Sequence, residues 1–152
     1  MKEDYVSFET AKLLKEKGFN QECDYATSWY AKQYYKNPCV GEWFEGEHYI
    51  IEDIDDKYNI SYLLEKDVFI PAQTLQMAMK WLRRVHNQII VPNIRVEDPI
   101  SGIINCYIVG IWYIPKNNGG AFCYTTPAPY NGYPSFEEAC EEGIKYCLEN
   151  LV

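Results

Sequence analysis

The sequence predicts an α+β fold: a mainly antiparallel, Tyr-rich β-sheet with about three helices packed on one face. Three observations predict it. Three stretches, beginning near residues 7, 71 and 135, carry helix-start signals followed by apolar residues at helical spacing. Between them run segments rich in aromatic and β-branched residues, broken by Asn, Gly, Asp and Pro, as strands and their turns require. The balance of 47% hydrophobic and 24% charged residues over 152 positions suits a soluble chain with one core, a single globular domain spanning 1–152.

The first helix is signposted by Ser7, whose hydroxyl is placed to cap the amide of Thr10. Val6 before the cap and Ala11 inside the helix form a weak hydrophobic staple. Good helix formers follow in "FETAKLLKEK"; Gly18 supplies a left-handed stop, and Phe19 folds back on Leu14. From Cys23 to about Phe69 the helical period is lost. "ATSWYAKQYY" reads either as strand or as helix. "GEWFEGEHYIIEDI" and "NISYLLEK" read as a hairpin turning at "DDKYN". The region 42–67 holds nine acids against two lysines.

Pro71 reads as the first residue of the second helix, where its missing N–H costs nothing. Leu75, Ala78, Met79, Leu82 and Val85 form its apolar stripe, and Lys80, Arg83 and Arg84 fall outside it. Between Val68 and Val96 there is no acid, against Lys80, Arg83, Arg84 and Arg95, the sharpest charge asymmetry in the chain. "QIIVPNIRVE" and "GIINCYIVGIWYIP" form a strand pair about "DPISG", and Pro92 puts the first strand at an edge or bulges it there. In the second strand, the face of Ile104, Cys106, Ile108, Trp112 and Ile114 is expected against helices. The face of Asn105, Tyr107, Val109, Ile111 and Tyr113 is expected to be partly wet.

The stretch 117–136 carries no charge and is expected to hold a short strand over 122–125 between two loops. The last helix is capped by Ser135, with Glu138 completing a capping box; its stripe is Phe136, Ala139, Cys140, Gly143, Ile144, Cys147 and Leu151. The heptapeptides "YVSFETA" and "YPSFEEA" at the first and last helices are one helix-start signal written twice, not a repeat, because they diverge at once and nothing between them recurs.

Several function classes lose support. A net charge of −8 disfavours direct nucleic-acid binding and anionic membranes. The opening "MKEDYVSFET" is polar almost at once, so no signal peptide is expected, and no apolar run approaches a membrane span. Without a secretory signal, the six cysteines read mostly as small buried hydrophobes. His48 and His86 are the only histidines and have no Cys or His at ligand spacing, so no metal and no cofactor is expected. "EDIDD" at 52–56 lacks the Gly and Glu of a calcium loop. No P-loop, dinucleotide fingerprint or nucleophile elbow occurs, and an enzyme is not expected.

The segments "YVSFETAKLLKEKGF", "CDY", "PAQTLQMAMKWLRRVHN" and "YPSFEEACEEGIKYCLENL", in this order, resemble the small uncharacterised accessory proteins of phages and prophages of gut bacteria. The resemblance touches about a third of the chain. It implies a setting, the cytoplasm of a bacterial host cell, and brings no activity and no catalytic residues.

Two functional expectations follow. One is a non-catalytic interaction protein that binds or inhibits a host or phage protein through the uncharged loop, with Tyr124, Tyr130 and Tyr133 as anchors, and the wet sheet face. The other is a protein that binds or sequesters a small nucleotide-like anion, gripped by Lys80, Arg83 or Arg84 and stacked on the loop tyrosines. Pairing with the acidic 42–67 segment is the favoured reading of the basic face, since opposite-sign segments of one domain tend to meet. A nucleic-acid mimic using that segment is a third reading, for which −8 is a mild charge.

Overall fold

The computed structural model describes residues 4–19, 28–37, 41–50, 68–96, 104–115, 120, 122–125 and 132–152. It is an α+β fold in which every strand pairing among the described residues is antiparallel. Among the described residues the strands divide among three sheets, and the chain forms two compact units, Tyr5–Gln73 and Thr74–Val152.

In the first unit, α1 (Phe8–Glu16) starts and stops as its sequence dictates. The Thr10 N–H donates to Ser7 Oγ at 3.3 Å. At the other end Gly18 has φ +88°, the Gly18 N–H donates to the Lys15 carbonyl, and the Phe19 N–H donates to the Leu14 carbonyl at 2.9 Å. Those two bonds are the Schellman pattern, which satisfies carbonyls the helix end leaves open.

The ambiguous "SWYA" is strand β1 (Ser28–Ala31), all four residues buried. Two aromatic residues and a backbone paired on both sides favour the extended form here. It lies between β4 (His48–Ile50) and β5 (Phe69–Pro71), while β2 (Tyr35–Asn37) pairs with β3 (Gly41–Trp43). "GEWFEGEHYIIEDI" is therefore not one hairpin arm. A turn at Glu45–Gly46 breaks it, and its halves join different sheets. The rest of the expected hairpin, 51–67, lies outside the described residues. Trp29, Ala31, Val68 and Phe69 form one core cluster of the unit, with Tyr35, Trp43 and Tyr49 packed against it; Trp43 and Tyr49 both meet the Phe69 ring edge-on.

The second helix does not begin at Pro71, which closes β5 opposite Trp29 at a sheet edge, where a missing donor is tolerated. Helix α2 (Leu75–His86) starts after Thr74, whose Oγ1 accepts the Met77 N–H at 3.2 Å, and ends at Asn87 with φ 55°. Leu75, Ala78 and Leu82 are buried as the stripe predicts, but Val85 at its C-terminal end is 51% exposed.

Strands β6 (Gln88–Val96), β7 (Ile104–Tyr113) and β8 (Phe122–Thr125) form the sheet of this unit, with β6 and β8 as edges. Pro92 thus sits on an edge strand, and a short strand falls at 122–125, both as the sequence predicts. Helix α3 (Phe136–Tyr146) runs into a π-helical turn, Cys147–Leu151; Ser135 Oγ accepts the Glu138 N–H at 3.1 Å. Phe136 is exposed, being at the first helical position, before the buried stripe begins.

The expected faces of β7 are reversed. Val109 and Ile111 are fully buried and Trp112 is 41% exposed. Gly143 fits this packing: a Cβ there would stand 2.8 Å from both Ile90 Cγ2 and Val109 Cγ1. A helix without that side chain seats its backbone against this face, the inner one. Helix α2 packs beside α3 and against β6.

Candidate functional site

Helix α2 has a second stripe beside its core stripe. Gln76, Met79, Lys80 and Arg83 recur at i, i+3, i+4 and i+7 and so share one flank. With Ile89 and Ile90 of β6 they line an open groove of about 360 Å³. Its lining holds two cations, one amide, one thioether and the edge of β6 at Ile89 and Ile90, and no acid among the described residues. Lys80, Arg83 and Arg84 are all exposed, and among the described residues none of the three takes part in an ion pair. Arg83, Arg84 and His86 also occupy the last turn of α2, where positive charge complements the helix dipole. Lys80 lies a turn earlier, so the dipole accounts for it less well.

The strand forming the groove floor is a sheet edge, and its register fixes which backbone groups face outward. The Ile114 N–H donates to the Asn87 carbonyl at 3.2 Å, and Gln88 stands opposite Tyr113. In an antiparallel ladder bonded and non-bonded pairs alternate. Ile89 and Val91 therefore bond to β7, while Gln88, Ile90 and Pro92 turn their backbone groups away from it. Pro92 occupies a slot whose N–H would have pointed off the sheet, which is why a central proline leaves the ladder intact.

Of the residues singled out in the sequence, Lys80 and Arg83 come together in the groove; Arg84 is exposed but does not line it. Tyr133 is 9% exposed, and its backbone exchanges hydrogen bonds with Tyr107 at 2.8 and 2.9 Å, so its ring offers little surface. Tyr124 lies on β8 opposite Ile111; its side chain, and all of Tyr130, fall outside the described residues. Sequence reasoning missed Gln76, Met79, Ile89 and Ile90. The spacing 76, 79, 80, 83 was the available signal for the helical part; the strand part required knowing that α2 leads directly into an edge.

Nucleophilic and metal chemistry find little to work with among the described residues. Burial pushes the Cys147 thiol up to about 12; burial, then the Glu137 carboxylate, pushes the Cys140 thiol up to about 11. Neither forms a thiolate at neutral pH. The His48 ring stands 4.7 Å from Tyr5 and 5.1 Å from Tyr30 between ring centroids, and desolvation holds its pKa below the usual value. No cluster of three potential metal ligands occurs, and no helix is long and apolar enough to cross a membrane, among the described residues. No protein-family model, curated protein or solved structure matches the chain.

Proposed function

We propose that the chain is a non-catalytic binding protein that takes an acidic segment of a partner protein in the groove between α2 and β6. The supporting observation is the composition of that groove: Lys80 and Arg83 stand over an apolar floor, with no acid among the described residues that line it, in a chain of net charge −8. The resemblance to phage and prophage accessory proteins supplies the setting. In this reading the partner is a host or phage protein, met in the bacterial cytoplasm.

Exposed ion pairs are worth about 0.2–1 kcal/mol each. Two of them strengthen binding by no more than about 30-fold. The charges select an acidic partner, and the aliphatic floor must supply much of the affinity. The test is affinity capture from host lysate with the unaltered protein and with Lys80→Glu/Arg83→Glu. A stoichiometric partner lost by the double variant, at unchanged circular dichroism, is the expected result. Equal capture by both proteins contradicts the groove.

A second reading keeps the same cations for a small anion. Lys80, Arg83 and the Gln76 amide could hold a phosphate, but Tyr133, being buried, gives no stacking ring. Thermal stabilisation by a nucleotide panel, abolished by Arg83→Ala, would favour it over the first.

A further inference from the structure

Resting on the acidic-partner reading and sharpening it, we infer that the partner segment binds as an added antiparallel β-strand on the outer edge of β6, with acidic and apolar residues alternating. Three observations converge. Ile90 lines the groove and turns its N–H and C=O outward, away from β7. The Pro92 carbonyl points the same way, while its lack of an N–H limits the length of any added ladder. On the inner side of that edge stand Lys80 and Arg83; on the outer face lie Ile89 and Val91, both only partly buried.

The geometry specifies the pattern. A residue directly opposite Ile90 that exchanges both hydrogen bonds with it points its side chain to the same face as Ile90. That is the face on which α2 packs, so this residue meets Lys80 and Arg83 and is acidic. Its neighbours in the strand point to the face of Ile89 and Val91 and are apolar. Backbone bonding, charge and apolar contact therefore coincide in one register, with the acidic residues carrying the amides that face β6.

The probe is an octapeptide of alternating valine and glutamate with blocked ends, titrated into the isotope-labelled full chain and followed by amide NMR shifts. Two further peptides carry N-methyl groups on the two central glutamates or on the two central valines. Strand addition predicts that glutamate methylation weakens binding at least tenfold and that valine methylation is tolerated. Equal binding by all three peptides, or loss with both methylated ones, overturns strand addition. If the three bind equally and Lys80→Glu/Arg83→Glu abolishes binding, the acidic-partner reading survives without it. Should the unmodified peptide not bind, both fail. Displacement of the peptide by equimolar inorganic phosphate, with the same shifts, overturns the inference in favour of a small anion. Sedimentation of the free chain as a dimer whose dissociation exposes the Ile90 amide overturns it in favour of a second copy.

Discussion

A single hydrogen atom in place of a methyl group lets α3 seat closely on the inner face of the second unit's sheet. Ile90 and Val109 are β-branched, with stiff χ1 rotamers, and their methyls leave no room for a Cβ on Gly143. Ala in a helix interior is worth up to about 1 kcal/mol over Gly, but overpacking a tight core costs about 1–3 kcal/mol. Overpacking should win, so Gly143→Ala is expected to lower stability by about 1–2 kcal/mol in urea unfolding. A gain would mean that α3 can lift off without cost. The two buried thiols offer a second test at this scale. Their folded-state pKa values, about 11 and about 12, lie above those of an unfolded chain. The unfolded state thus releases protons first as pH rises, and the stability these thiols contribute, complete below about pH 8.5, is lost through pH 11–12. The melting temperature of Cys140→Ala/Cys147→Ala should fall less steeply over pH 9–11 than that of the unaltered chain. In the native protein at pH 8, iodoacetamide and peptide mapping should find exposed Cys123 modified and Cys140 and Cys147 protected.

Among the elements, helix ends were legible and strand partners were not. Ser7, Thr74 and Ser135 each accept an N–H from three residues on, a local bond that depends on nothing distant. Two of those caps could be read directly. The third was masked by Pro71, because a proline suits both a helix start and an edge strand, and only the pairing of Pro71 with Trp29 separates them. The expected difference is measurable: Thr74→Ala should cost about 1 kcal/mol through α2, whereas Pro71→Ala should leave α2 intact. Amide exchange at Met77 reads both. The faces of β7 illustrate the opposite case. Both of its alternating sets are apolar enough to be core, so periodicity could not choose between them; the buried set is the one on which Gly143, more than 30 residues later, packs closely.

For the whole molecule, the helix-start signals and the strand-like segments between them predicted α+β correctly, but could not show how the strands divide, since three- and four-residue strands carry too few alternations to name a partner. The candidate site was half visible for the same reason. Lys80 and Arg83 stand out in any charge plot, while the edge that turns them into a groove exists only once β6 has paired with β7 on one side. A protein of net charge −8 that presents a cationic groove should bind acidic segments in a salt-sensitive way, because exposed charges are screened within about 10 Å at 0.1 M salt. Affinity for the alternating peptide is expected to fall several-fold between about 0.05 and 0.5 M sodium chloride. The most direct measurement is the residue-resolved NMR map of that peptide on the full chain. The account predicts that the largest shifts fall on Gln76, Lys80, Arg83, Ile89 and Ile90. Shifts centred anywhere else on the surface would contradict it.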